Sequence, residues 1–287
     1  MSNLKYFLQY LCIIFLFSIY KILGLKYSSN LSGIIFSIFG PLFRSSKLCH
    51  SNISKACPKI SFKERNKILK KMWFNYGSML AEYIFIKDFR NQTEFSKKLI
   101  IENQNILETI KKNSKPVIFI SGHFNNFELM AMYIEKFGID LAAIYRPLNN
   151  KFLNPIMEDI RKKYICKNQI KKGISGTKEI LKFFKNDTSI ALMIDQRVSE
   201  GIKCKFFNEE ALTTTIPAQF VKKFEAEIVP IYIERINKNN FKLKIYDPLK
   251  FSKNESIEFI TLRLNKILEE MILKNPDQWI WTHNRWK

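Results

Sequence analysis

The chain begins with an apolar stretch, continues with a helical stretch, and then alternates between short apolar runs and amphipathic segments. The first stretch, YFLQYLCIIFLFSIY from Tyr6 to Tyr20, carries no charge and is flanked by Lys5 and Lys21. A membrane span needs about 20 residues, a length that is reached at Leu25 if the Lys21 side chain extends to the membrane surface. A cleaved signal peptide would also begin this way, but no small-residue cleavage site follows Tyr20. The pattern therefore favours an uncleaved, single-pass anchor over residues 1–25.

Basic residues are distributed unequally around this anchor. Before it stand only Lys5 and the amino terminus, whereas six cations follow it: Lys21, Lys26, Arg44, Lys47, Lys55 and Lys59. Because basic residues are retained on the cytoplasmic side, we expect everything downstream to be cytoplasmic.

A second apolar segment, LSGIIFSIFGPLF, runs from Leu31 to Phe43 and is too short to span a membrane. It fits a core helix, but its position beside the anchor and before Arg44 and Lys47 fits an interfacial helix equally well. We therefore divide the chain into an anchor at 1–25, an interfacial or linker segment at 26–60, and a cytoplasmic domain at 61–287.

The cytoplasmic domain begins with helical spacing and then changes character. Ser61 and Glu64 form a capping-box pattern, and helical periodicity continues to Ile110. Beyond Lys115, apolar runs typical of strands alternate with helical patterns; the predicted strands are 116–121, 139–145, 189–195, 227–235 and 241–246. This alternation predicts an α/β fold with a mixed, partly parallel sheet flanked by helices, and the NKNN turn predicts an antiparallel hairpin at the sheet edge.

The sequence is strongly basic and contains few residues that commonly bind metals. The formal net charge is +21, from 38 Lys and 9 Arg against 26 acidic residues. Such a charge suits a polyanionic partner, although a Lys-rich background from an AT-rich genome explains part of it. No zinc finger, RNP-type motif or basic helix with interleaved aromatic residues is present, which argues against nucleic acid. Five scattered cysteines and three histidines predict reduced thiols and no metal site.

Polar residues follow three of the predicted strands. They are Ser121-Gly122-His123, Tyr145-Arg146 and Asp195-Gln196-Arg197. In open α/β sheets the ligand crevice lies beyond the carboxyl ends of the strands, so these groups should converge. Glu128, five residues after His123, is placed to bend back to the imidazole and leave the other ring nitrogen free to accept a proton. A structural histidine that caps the following helix is the alternative. No G-x-S-x-G elbow is present, so the hydroxyl to be activated would belong to a substrate.

These residues lie within longer blocks that resemble a known family. SGHFNNFEL, AIYRPLNNKFLNPIMEDIR, LMIDQR, ALTTTIPAQFVKKFEAEIVPIYIER and PDQWIWTHNRWK are similar, in this order, to blocks of the late lipid A biosynthesis acyltransferases, the lauroyl/myristoyl transferase family. The resemblance covers residues from about Lys115 to the carboxyl terminus. The HxxxxD/E motif alone is shared with glycerolipid acyltransferases, whereas the ordered set is specific.

The resemblance implies a glycerolipid-acyltransferase-like fold and a defined reaction. An acyl chain would pass from acyl carrier protein to a hydroxyl of a Kdo-bearing lipid A precursor, in lipopolysaccharide biosynthesis at the cytoplasmic face of the bacterial inner membrane. No cofactor is expected beyond the acyl carrier protein donor. A glycerolipid or another membrane lipid is the alternative acceptor, and a membrane-tethered polyanion-binding protein without catalysis is a more remote alternative.

The resemblance also assigns candidate residues. The catalytic pair of the motif falls on His123 and Glu128, and block position adds Arg161 and Asp195. We expect Asn125 and Asn126 amides, or Arg161, to stabilise the oxyanion, and Arg146, Gln196, Arg197 and Arg285 to bind substrate. For each Arg, a structural ion pair is the alternative, including one between Arg161 and Asp195. Three tryptophans lie near the carboxyl terminus: Trp279, Trp281 and Trp286. They could lie at the membrane interface or contact the acceptor, and we expect at least one of them to pack in the core.

Overall fold

A computed structural model describes residues 2–287, except for the side chains of Ser2 and Ile174. The helices are α1 (Ser2–Phe39), α2 (Ser46–Ala56), α3 (Phe62–Glu82), α4 (Ile86–Asn91), α5 (Thr93–Ser96), α6 (Gln104–Asn113), α7 (Glu128–Lys136), α8 (Asn154–Tyr164), α9 (Ile174–Lys185), α10 (Ile216–Phe224) and α11 (Ile257–Lys274). The strands are β1 (Leu99–Glu102), β2 (Ile118–Ser121), β3 (Leu141–Tyr145), β4 (Asn168–Lys171), β5 (Ser189–Met193), β6 (Ile202–Phe206), β7 (Glu209–Thr213), β8 (Ile228–Asn237) and β9 (Asn240–Ile245).

The first helix joins the predicted anchor to the segment that follows it. The helical chain at 3–42 is long and apolar enough to cross a membrane, and 11% of its most apolar window is buried. The helix is kinked at Gly24, whose φ of +72° is costly for residues with a Cβ. Beyond the kink, Ser32 donates a 2.6 Å hydrogen bond to the Gly77 carbonyl of α3. The second half of α1 thus belongs to the packed domain.

Helix α3 begins as the capping-box pattern predicts. The Ser61 hydroxyl accepts from the Glu64 backbone N–H at 3.2 Å, and the Glu64 carboxylate accepts from the Ser61 N–H at 2.8 Å. These reciprocal bonds satisfy donors that have no partner in the first turn of a helix.

Within the described residues, the central sheet has seven strands in the order β1-β9-β8-β2-β5-β3-β4. All neighbouring strands are parallel except β8 and β9, which form the predicted antiparallel hairpin. The central strand β2 is buried along its whole length, as expected for a strand covered on both faces. Strands β6 and β7 form a separate antiparallel pair. The α/β class and the helix-flanked, mostly parallel sheet are confirmed.

Three features of the strands were predicted wrongly or missed. The hairpin is not at the edge, because β1 pairs with β9 in parallel from Leu99↔Phe241 to Glu102↔Lys244. The stretch to Ile110 was predicted as helical, and the four residues of β1 were missed within it. The β6–β7 hairpin was also missed.

Candidate active site

The register of two parallel strands brings His123 and Asp195 together. Strand β2 lies beside β5, and Ser121 at the end of β2 pairs with Met193 at the end of β5. His123 and Asp195 each follow two residues later, so they leave the sheet side by side at its carboxyl edge. The predicted convergence of these two strand ends is therefore present.

The Asp195 carboxylate is the hydrogen-bonding centre of the site. Oδ1 lies 2.8 Å from His123 Nδ1, while Oδ2 accepts from the His123 backbone N–H and the Trp279 indole N–H, each at 2.8 Å. Asp195 is 2% exposed, and its partners hold it in one orientation. A carboxylate on Nδ1 fixes the imidazole tautomer that leaves Nε2 free to accept a proton.

The charges of this pair stabilise each other. Burial disfavours the protonated imidazole, but the Asp195 charge and hydrogen bond outweigh it and raise the pKa of His123 above its usual value. Burial likewise disfavours the Asp195 carboxylate, but His123 and the two N–H donors lower the Asp195 pKa. The imidazole is thus a stronger base than a free histidine.

Glu128 does not make the contact that the sequence suggested. As the first residue of α7, it accepts from Arg161 of α8, at 3.0 Å from Nε and 2.7 Å from Nη2. The hydrogen bond expected from Glu128 to His123 is made by Asp195 instead. The Glu128 charge nevertheless helps to raise the His123 pKa. Spacing along the chain predicted Glu128 as the carboxylate that contacts the His123 ring, whereas the register of β2 on β5 brings Asp195 there.

Arg161 forms a largely buried ion pair with Glu128. The predicted alternative partner of Arg161, Asp195, is held by other groups. Burial disfavours the charged guanidinium, but Glu128 outweighs it and raises the pKa of Arg161. Tyr83, next to this pair, is buried, and its hydroxyl has no hydrogen-bond partner among the described residues.

The two asparagines after His123 are fixed by a buried polar network. Asn125 has a φ of +41° and its backbone N–H donates to the Gln278 carbonyl at 2.9 Å. Its side-chain oxygen accepts from Arg235 at 2.7 Å, and Asn126 Nδ2 donates to Glu82 at 3.1 Å. The Asn125 amide is thus already used, which removes it as an oxyanion donor and leaves Asn126 or Arg161.

Glu82 is the centre of that network, and sequence reasoning missed it. Its carboxylate is fully buried and accepts from Arg235 at 2.6 and 3.0 Å, from Asn239 at 3.0 Å and from Ser29 at 2.9 Å. These donors come from α1, β8 and the turn after β8. Glu82 is one of several charged residues in a helical stretch, so no sequence pattern indicated that its carboxylate is buried. Its hydrogen-bond donors are distant in sequence.

The predicted substrate-binding residues differ in availability. Arg146 is exposed, and Gln196 lies with its amide nitrogen 3.4 Å from His123 Nδ1. Arg197 is half-buried and donates to the Lys287 carbonyl at 3.2 Å. Arg285 is 0% exposed and donates to the Leu212 carbonyl and the Thr213 hydroxyl, each at 2.7 Å. Burial lowers the pKa of Arg285 to about 10, and these bonds hold its guanidinium inside the fold. Its substrate contact stays a prediction that this geometry does not favour.

The terminal tryptophans are also mainly structural. Trp279 and Trp281 are buried and pack edge to face with ring centroids 4.6 Å apart. The expectation of core packing for at least one is confirmed, and Trp279 has a second role as donor to Asp195.

Fold and site together define the class: an α/β protein with a histidine–aspartate pair at the carboxyl edge of a mostly parallel sheet and an amino-terminal apolar helix of membrane-spanning length. Comparison with known sequences identifies the family within that class. A family model for bacterial lipid A biosynthesis acyltransferases matches residues 1–287, so the chain belongs to that family. The resemblance seen in the ordered blocks is confirmed, and the protein is an acyltransferase of lipid A biosynthesis.

Individual relatives are distant but extensive. Lipid A biosynthesis acyltransferase 2 of Shigella flexneri is 22% identical over 236 residues, which are 80% of this chain and 74% of the relative. The lipid A biosynthesis palmitoleoyltransferase of Escherichia coli K12 is 21% identical over 255 residues, 86% of this chain and 80% of the relative. The lauroyltransferase of the same strain is 23% identical over 252 residues, 85% and 79% of the two chains.

Proposed function

We propose that the protein transfers a fatty acyl chain from acyl carrier protein to a hydroxyl of a Kdo-bearing lipid A precursor, with His123 as general base. The observation that carries this proposal is the His123–Asp195 hydrogen bond of 2.8 Å at the carboxyl edge of the sheet. It supplies a base whose strength suits a substrate hydroxyl, in a family that acts in lipid A biosynthesis. Relatives named for lauroyl and for palmitoleoyl transfer support a fatty acyl donor without favouring one chain length.

In the proposed reaction, Nε2 of His123 removes the proton from the acceptor hydroxyl as its oxygen attacks the thioester carbonyl. The tetrahedral intermediate then collapses, the carbon–sulfur bond breaks, and the thiolate of the carrier takes the proton from His123. The products are the new ester and the free thiol. A positioned base of this kind contributes about 10²–10⁴-fold to the rate.

The negative oxygen of the intermediate needs a donor or a cation. We assign this role to Arg161 or to the backbone N–H of Asn126. Arg161 is held by Glu128, so its charge is oriented before substrate arrives. This arrangement gives Glu128 a role in catalysis through Arg161, in place of the one first expected through His123.

We place the catalytic domain on the cytoplasmic side of the inner membrane, where acyl carrier protein is found. The cations that follow the anchor support this orientation. Both the carrier and the acceptor are acidic, and exposed lysines in the last turn of α8 and in the segment after it are available to them. Among these, Lys163 already pairs with Asp159 at 2.9 Å and Lys171 with Glu158 at 3.4 Å. That leaves Lys162, Lys167 and Lys172 as our candidates for docking.

Mass spectrometry of lipid A from a strain lacking the protein tests this function in the cell. We expect lipid A that lacks one acyl chain, restored by the wild-type gene and not by a His123→Ala variant. Unchanged lipid A in the deletion strain would contradict the acceptor and point to a glycerolipid or another membrane lipid.

A further inference from the structure

The second half of α1 presents an apolar stripe to solvent on the face opposite the protein. Ser28, Ser29 and Ser32 are buried on one face. The other face exposes large apolar side chains at helical spacing: Tyr27, Leu31, Ile34 and Ile38. The turn that follows α1 adds Leu42 and Phe43, which are 79% and 77% exposed. A soluble surface rarely carries so extended an apolar patch.

This stripe is continuous with the part of α1 that is long enough to span a membrane. The kink at Gly24 separates the two halves, so the second half need not follow the first across the bilayer. A helix with one face on protein and an apolar face exposed beside a membrane anchor lies in the bilayer interface. The two alternatives for Leu31 to Phe43 are thus combined, since the segment packs on one face and exposes the other.

A small pocket with cationic lining residues lies at the end of this stripe. It has a volume of about 170 Å³, with Trp73 and Cys49 among its apolar lining and Ser37 and Ser46 among its hydroxyl groups. Arg44 and Lys70 also line it, and no acidic residue does. Neither cation forms an ion pair within residues 2–287.

We propose that this pocket binds the phosphate headgroup of an anionic phospholipid from the bilayer in which the α1 stripe lies. Arg44 offers a planar fork and Lys70 a point charge, a combination suited to phosphate oxygens, while the hydroxyl group of Ser46 can donate to them. The Ser37 hydroxyl instead donates to the Ile34 carbonyl of its own helix at 2.8 Å. The acyl chains of the same lipid extend along the apolar stripe. The lipid fixes the height of α3 at the membrane surface, separately from the acyl-transfer site.

Native mass spectrometry of the full-length protein in detergent tests this site. The probes are phosphatidylglycerol and phosphatidylcholine with identical acyl chains, titrated onto the wild type and an Arg44→Gln/Lys70→Gln variant. We expect the wild type to bind phosphatidylglycerol preferentially. The variant should lose roughly thirtyfold in affinity for it, because each cation near a membrane surface contributes a factor of about five.

A matched control replaces one Lys and one Arg elsewhere, Lys185→Gln/Arg263→Gln, at exposed positions on α9 and α11. It should bind phosphatidylglycerol as the wild type does. Equal affinity of the Arg44→Gln/Lys70→Gln variant and the wild type would overturn the proposal. So would displacement of phosphatidylglycerol by millimolar inorganic phosphate, because a pocket for the free ion would not need the apolar stripe.

A Leu42→Ser/Phe43→Ser variant tests the stripe without changing charge. We expect weaker binding of both lipids with the preference for phosphatidylglycerol retained. Undiminished binding of both would contradict the placement of the acyl chains.

Discussion

Asp195 acts on His123 through both its charge and its position. It accepts from the ring, from the backbone of the same histidine and from Trp279. Nδ1 of His123 lies against a carboxylate from another strand, so it does not cap the helix that follows. In the proposed function Asp195 orients the base, and the Glu128 charge of the Glu128–Arg161 pair acts on the same imidazole.

The pH dependence of kcat/KM follows from the raised pKa of His123. Because the base must be neutral, the wild-type rate should rise as pH passes through a value above 6.5, the ordinary value of histidine. In Asp195→Asn, burial remains and the raising charge is gone, so we expect this limb to move to lower pH. The plateau should fall by up to about 10²–10⁴-fold.

Kinetics between pH 5 and 9 measure both effects. Asp187→Asn is the control, since Asp187 is exposed with a φ of +58°, a conformation that Asn also adopts readily. An unshifted acid limb in Asp195→Asn would contradict the assigned role.

Stability should respond to the same pair in two pH ranges. Because folding raises the pKa of His123, protonated His123 stabilises the folded state fully below about pH 6.5. This contribution to the free energy of unfolding is lost as pH rises through the pKa of His123 in the folded protein. Because folding lowers the pKa of Asp195, its carboxylate stabilises the folded state fully above pH 3.8, its ordinary pKa. This contribution is lost as pH falls through the pKa of Asp195 in the folded protein. Denaturation of the wild type and Asp195→Asn across pH should show their difference in the free energy of unfolding narrowing at both ends. A difference independent of pH would contradict the coupling.

Removing one partner of the Glu128–Arg161 pair should cost more than removing both. The side chains are 9% and 15% exposed, so Glu128→Gln leaves a largely buried guanidinium without its counter-charge. We expect a loss of about 3–5 kcal/mol in the free energy of unfolding, with part of it recovered in Glu128→Gln/Arg161→Met. Activity should remain low in both variants, because the oriented cation is lost. Denaturant titrations and acyl-transfer rates check this, and recovery of activity in the double variant would contradict the role of Arg161.

At the scale of elements, the contact between α1 and α3 depends on small residues. A Cβ added to Gly77 would lie 2.4 Å from the Ser32 carbonyl and 2.6 Å from Phe36 Cβ, so the two helices would have to separate. Gly24, in contrast, has open space around it, and only its positive φ resists a side chain. Substitution of Gly77 therefore tests the close approach of the two helices, and substitution of Gly24 tests the backbone conformation at the kink.

Gly77→Ala should destabilise the protein by about 1–3 kcal/mol, the usual cost of overpacking, and should loosen α1 from α3. Gly24→Ala should cost about 1 kcal/mol and leave that contact intact. Denaturation in detergent and proteolysis within α1 distinguish the two. Wild-type protection from proteolysis in Gly77→Ala would contradict the packing described for these helices.

The sequence predicted those features that depend on neighbouring residues, and it failed for short strands and for contacts between distant parts of the chain. The Ser61 capping box and the strand ends at His123 and Asp195 were predictable, because capping and strand position are local properties. Strand β1 was missed because LIIE is four residues long between helices. The partner of His123 was misassigned because the register of β2 on β5, which pairs Ser121 with Met193, is set by long-range packing.

At the scale of the molecule, one buried carboxylate connects the apolar helix α1 to the candidate active site. Glu82 of α3 accepts from Ser29 of α1, from Arg235 of β8 and from Asn126, three residues after His123. We expect the net charge of +21 to act at two surfaces, the proposed lipid contact beside α1 and the proposed docking surface for the substrates. The sequence predicted such surfaces but gave no indication of the connection between them.

Glu82→Gln should disturb both the fold and catalysis. The amide presents a donor to a site where every neighbour donates, so we expect a loss of about 3–5 kcal/mol in the free energy of unfolding and a lower kcat. Glu108→Gln, at an exposed position on α6, is the control and should be neutral. Chemical denaturation and acyl-transfer kinetics measure these effects. Unchanged stability in Glu82→Gln would contradict the role given to the network.

The central claim is that His123 activates a lipid A precursor for acylation. Its most direct test is an in vitro reaction of the purified full-length protein with acyl carrier proteins bearing chains of different lengths and a purified Kdo-bearing precursor, read by mass spectrometry. The wild type should add the mass of one acyl chain to the precursor, and His123→Ala, folded and membrane-associated, should add none. Acylation by His123→Ala at the wild-type rate would contradict the claim.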